Sequence, residues 1–223
     1  MTEIYLAAGL GFYFLLLAGT LGILTRIEEM AEKLVAEPAS GGLTARVFIG
    51  RVTEAENMDD LEVEEANSRT AGWYFPGRRL IKIPGRDGSS LLALAVAAHE
   101  VSHARHEARW ESLMKTSNFL GLTGTLLAYS FPLFFLAGIL YYPILIYIGA
   151  VLFVLLIILV GIELPIEIEA TRTAMGYLRQ YSGLEESELR QVKRILNWAI
   201  LSRITYFTGG YLALLLIDKE EVK

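Results

Sequence analysis

The sequence predicts an α-helical integral membrane protein, with about four transmembrane helices and a small α+β domain outside the bilayer. Three observations carry this. The 223 residues are 53 % hydrophobic with a mean hydropathy of +0.42, high for a soluble domain. The apolar residues gather in four runs, at 4–24, 119–140, about 144–162 and 197–217, each near the length that crosses a bilayer core. The segments between them are polar, and one holds all three histidines of the chain within residues 97–106. The expected organisation is therefore a transmembrane helix at 1–25, a mixed region with a small sheet and the histidine helix at 26–116, a transmembrane hairpin at 117–162, polar helices at 163–196 and a last transmembrane helix at 197–217.

Composition also excludes functions. The net charge of −5 gives no basic signature for nucleic acid. Without cysteine there is no disulfide, no Cys-ligated zinc and no thiol catalysis. Three histidines are too few for the His-rich di-iron membrane oxygenases.

Residues 4–24 carry no charge, and only Glu3 precedes them. The run lacks a basic n-region and is long for a signal peptide, so a retained anchor is expected. Residues 26–35 read as an amphipathic helix on the membrane surface, ending before Pro38 and a turn at Ser40-Gly41-Gly42. Residues 43–84 read as a small sheet. Val47-Phe48-Ile49 and Val52 are β-rich, and residues 61–64 alternate. Gly72-Trp73-Tyr74-Phe75, Pro76-Gly77 and residues 79–83 read as a hairpin. The alternation at 79–83 suggests a half-exposed edge strand, either covered or able to accept an extended peptide as an added strand.

The histidine helix is expected to start near residues 87–90, capped by Asp87, Ser89 or Ser90, and to run to about Lys115. Positions 92, 96, 99, 103, 106 and 110 follow at steps of three or four, so His99 and His103 continue an apolar stripe. Four residues apart, they sit about 40° apart on one helix face, where a single tetrahedral zinc can take both. Buried imidazoles need partners, and a metal supplies one. Glu100 completes His99-Glu100-x-x-His103, and the carboxylate at that place takes a proton from zinc-bound water. His106 falls nearly on the same face. One zinc is poorly placed to reach three ligands strung over two turns, so His106 reads as a supporting or surface residue. Arg105, Glu107, Arg109 and Glu111 read as a charged outer face.

Tyr141-Tyr142-Pro143 separates the two central runs and fits an interfacial turn; Pro132 is expected to kink the first arm. Glu163, Glu167 and Glu169 follow at a membrane boundary, where acids are costly to bury. Two histidines leave a zinc short of a ligand, and Glu163 and Glu167 are both placed to supply it. The other reading is acids at the water boundary, solvated or paired with Arg172. Ser182-Gly183-Leu184-Glu185 reads as a capping box. Arg203 inside the last run reads as snorkelling or facing a polar cavity. Basic residues flanking 26–116 and 163–196 place both segments in the cytoplasm, with the C-terminal tail outside.

With these elements in place, the chain resembles the YugP-type neutral zinc metallopeptidases of bacterial membranes. The likeness spans most of the chain and is carried by Ala-Val-Ala-Ala-His-Glu-Val-Ser-His-Ala at 95–104 and Leu-Pro-Ile-Glu-Ile-Glu-Ala-Thr-Arg-Thr-Ala at 164–174. The second motif is also similar to the Glu-x-x-Ala-Asp element of HtpX-like and CAAX prenyl proteases. The resemblance implies a zincin-like domain binding one Zn²⁺ per chain through His99, His103 and Glu167, with Glu100 as catalytic base. It favours Glu167 over Glu163, puts Thr171 where the family has a site-orienting Ser or Asp, and implies peptide or membrane-protein substrates. Ser102 departs from the family's glycine, and His106 and Arg172 are displaced from the family's pattern. Tyr206 and Arg203 are candidates for the oxyanion donor. The competing expectation is an inactive membrane scaffold whose zinc is structural, its fourth position filled by His106 or a second glutamate.

Overall fold

A computed structural model describes residues 2–68, 70–85, 88–202 and Thr205. The elements run α1 (Thr2–Ala36), α2 (Ala45–Glu56), β1 (Glu62–Ala66), β2 (Trp73–Phe75), β3 (Leu80–Pro84), α3 (Leu91–Leu140), α4 (Ile144–Tyr181) and α5 (Glu186–Ser202). They fall into two compact units. One holds residues 27–117 and 165–199, the other residues 2–26, 118–164, 200–202 and Thr205.

The first unit has a single apolar core. α2 contributes Ala45, Phe48, Ile49 and Val52, α3 contributes Leu91, Leu94, Ala98 and Val101, and the end of α4 with α5 contributes Ala174, Leu178 and Val192. Val47-Phe48-Ile49 and Val52, expected within the small sheet at 43–84, lie instead in the helix α2. Its buried positions 45, 48, 49 and 52 recur at three and four, and this period outweighs the β-branched composition. Thr44 caps the helix by accepting from the Val47 N–H at 3.3 Å, and Asn57 closes it in the left-handed conformation.

The sheet has the order β1-β3-β2, with β1 parallel and β2 antiparallel to β3. The β2–β3 hairpin turns through Pro76–Gly77 as expected, with Gly77 at φ +82°. β3, however, is the middle strand rather than an edge. Leu80, Ile81 and Ile83 are buried, and both its flanks are paired, so a substrate strand has no edge to join there.

α3 begins at Leu91, where the Ser90 hydroxyl accepts from the Ala93 N–H at 3.2 Å. Rather than stopping near residue 115, it continues to Leu140, with Pro132 inside it. α1 likewise joins the expected anchor and surface helix into one element. The expected box at 182–185 is replaced by half of one at 185–188: the Glu188 carboxylate accepts from the Glu185 N–H at 2.7 Å, while the Ser182 hydroxyl donates back to the Leu178 carbonyl.

In the second unit, Ala128, Phe131, Leu156 and Val160 pack together between the arms of the α3–α4 hairpin. Tyr141 and Tyr142 stand exposed at its turn. Among the described residues, α4 alone is long and apolar enough to cross a membrane, and only 22 % of its most apolar stretch is buried. That exposure separates it from the core helix of a soluble protein. Leu126–Leu140 is a shorter apolar helical stretch. The expected span at 197–217 lies outside the described residues beyond Ser202, as do Arg203 and Tyr206.

Candidate metal centre

The first unit brings His99 and His103 of α3 together with Glu167 of α4. His99 and His103 meet because they are one helical turn apart, and their rings stand at 89° with centroids 4.7 Å apart. Glu167 reaches them from 68 residues further along the chain than His99. The His99 Nε2 lies 3.1 Å from Glu167 Oε2 and 3.1 Å from His103 Nε2, and His103 Nε2 lies 3.9 Å from Glu167 Oε2. The three side chains are 16, 12 and 14 % exposed, so the donors sit in a largely dehydrated place that still opens to solvent.

These spacings test the fit to zinc. Tetrahedral ligands at Zn–N and Zn–O bonds of about 2.0–2.1 Å stand about 3.3 Å from each other. The three measured spacings bracket that value, and the donor set is two imidazoles and one carboxylate, a combination that binds zinc and leaves a coordination position open. Among the described residues, this is the group of His, Asp and Glu that could hold a metal.

Neither alternative ligand belongs to the group. His106 is buried and faces Thr173, with Nε2 3.2 Å from the hydroxyl oxygen. Glu163 is buried and belongs to the other unit. Thr171 is buried too, and its hydroxyl has no hydrogen-bond partner among the described residues. Ser102, fully buried behind the motif, donates to the Ala98 carbonyl at 2.6 Å. The hydroxyl is thus satisfied within its own helix.

Glu100 is part-buried on the neighbouring face of α3. The chain at Gly72 comes against this face: a Cβ added there would lie 2.4 Å from Val96 Cγ1, 2.7 Å from the Lys82 carbonyl oxygen and 3.5 Å from Glu100 Cγ. Only glycine admits so close an approach.

A family model described as "Putative neutral zinc metallopeptidase" matches residues 11–217. The chain belongs to that family. The metallopeptidase match is accompanied by 27 % identity over 183 residues to "Putative membrane protease YugP" of Bacillus subtilis (strain 168), covering 80 % of this chain and 81 % of that protein. No solved structure matches.

Sequence reasoning missed one residue of this region. Glu107, expected on the charged outer face, is buried and hydrogen-bonded to the β2–β3 hairpin. The available signal was its position seven residues after Glu100, on the same side of the helix.

Proposed function

We propose that this metallopeptidase-family chain is a membrane-embedded protease that hydrolyses peptide bonds at a single zinc held by His99, His103 and Glu167, with Glu100 as general base. The observation that carries the reading is the convergence of two imidazole nitrogens and one carboxylate at tetrahedral ligand spacings, with a second acidic residue, Glu100, next to His99 in the chain. Zinc, when bound, lowers the pKa of a coordinated water to about 7 and polarises the substrate carbonyl. His99 and His103 present neutral Nε2 donors, and the Glu167 carboxylate adds a negative charge beside them. Glu100 takes the proton from the attacking water and delivers it to the leaving amine. His106 is engaged with Thr173 and does not fill the position a water needs, which favours a catalytic over a closed structural site.

The exposed apolar α4 and the relative named a membrane protease support membrane association. We further propose a multi-pass topology of four spans with the site on the cytoplasmic side. Substrates are peptides or segments of membrane proteins.

The test uses detergent-purified protein. Wild type and Glu100→Gln should each carry about one zinc per chain by mass spectrometry, and Glu167→Ala should lose it. Glu100→Gln should cut kcat on quenched fluorogenic peptides by about 10²-fold or more. Turnover retained in Glu100→Gln sinks the base assignment. Zinc retained in Glu167→Ala moves the third ligand elsewhere.

A further inference from the structure

Glu107 stands one turn beyond His103. From Val96 to Glu100 and from Glu100 to Glu107, steps of four and seven residues rotate by only about 40° and 20°, so the three share one face of α3. The buried Glu107 carboxylate accepts from three groups of the β2–β3 hairpin. The Tyr74 hydroxyl in β2 donates to Oε2, the Gly77 N–H in the turn donates to Oε1 at 3.0 Å, and the Arg79 guanidinium donates to Oε2 at 3.2 Å. Arg79 also holds Asp60, ahead of β1, at 2.6 Å. Gly72, just before β2, lies against Val96 and Glu100. Helix positions 100 and 107 are about 10.5 Å apart along the axis, a distance that two residues of strand plus a tyrosine side chain span. β2 therefore runs along the Glu100 face of α3, fastened at its far end by Glu107.

We propose that Glu107 is a positioning residue that latches the β2–β3 hairpin onto the motif helix and thereby fixes the chain at Gly72 against Glu100. The catalytic consequence rests on the peptidase reading; the latch itself does not. A carboxylate bound by three donors is costly to replace, because alanine leaves the buried Tyr74 phenol without its acceptor and Arg79 with Asp60 alone. Displacing a neighbour of a catalytic base by about 1 Å is enough to cost large factors in rate.

The experiment compares wild type, Glu107→Ala, Glu107→Gln and Tyr74→Phe, with Thr44→Ala, at the cap of α2, as a destabilised control outside the hairpin. Hydrogen–deuterium exchange should rise by about tenfold or more at amides 72–82 in Glu107→Ala, and less in Glu107→Gln, which keeps an acceptor oxygen. Residues 91–106 should stay protected and zinc should remain about one per chain. On a quenched fluorogenic peptide, kcat should fall about tenfold in Glu107→Ala with KM within about twofold, and recover partly in Glu107→Gln. Thr44→Ala should lower Tm without changing kcat.

Unchanged exchange at 72–82, zinc loss, or a lowered Tm with wild-type kcat in Glu107→Ala overturns the proposal. If Glu107→Ala does not fold, Tyr74→Phe decides by the same exchange and kcat readouts, with smaller effects expected and wild-type behaviour overturning it. If wild type cleaves no peptide, the peptidase reading fails while the exchange measurement still decides the latch.

Discussion

Two tyrosines of the first unit sit where ionisation is disfavoured. Burial, then the nearby Glu56 carboxylate, push Tyr177 up to about 12. Burial and the bond to Glu107 raise Tyr74 in the same direction. In the unfolded chain both phenols ionise near pH 10. Between pH 10 and 12 the folded state thus holds protons that the unfolded state has released. Their contribution to stability is complete below about pH 10 and is lost as pH rises through the folded values. Denaturant midpoints measured from pH 9 to 11.5 should fall across this window, and Tyr177→Phe should fall less steeply than wild type. Equal slopes would mean that Tyr177 ionises freely in the folded protein. His99, Glu100 and His103 are readable because their relation is local, one helical turn. Glu167 is 68 residues from His99, and the residues alone leave it level with Glu163; only the likeness to a family separated them. Glu107 was hidden because a lone glutamate after a motif looks like solvated charge until its partners in the hairpin are seen.

At the scale of elements, α2 and β3 show where local preference and tertiary packing disagree. Val47, Ile49 and Val52 favour strand, but the buried positions follow a helical period under the Thr44 cap. Thr44→Ala should cost about 1 kcal/mol. Ile81, fully buried in the middle strand, should cost about 2–5 kcal/mol as Ile81→Ala, because the lost side chain leaves a cavity between sheet and helix. Chemical denaturation of the two variants decides the ordering, and equal costs would contradict the central place of β3. The hairpin and its Pro-Gly turn were legible because turn chemistry is local. The parallel pairing of β1 with β3 was not, since register across an intervening strand carries no sequence signature. The α3–α4 turn at residues 141–143 was legible for the opposite reason: two aromatics and a proline interrupt an otherwise unbroken apolar run.

For the whole molecule, membership of one compact unit constrains topology. Residues 27–117 and 165–199 fold together and share a metal-binding group, so both must lie on one side of any bilayer. The chain between them must then cross an even number of times, and the proposed four-span topology assigns two crossings to its apolar arms, 119–140 and 144–162. The native chain lacks cysteine, so single cysteines report sidedness cleanly. Asp59→Cys and Glu186→Cys should be labelled by a membrane-impermeant maleimide only in inverted vesicles, and Tyr142→Cys only in intact cells. Labelling of the first two from outside, with Tyr142 inside, would reverse the orientation while keeping the crossings. Opposite sidedness of Asp59 and Glu186 would require an odd number of crossings, and then His103 and Glu167 could not share a metal.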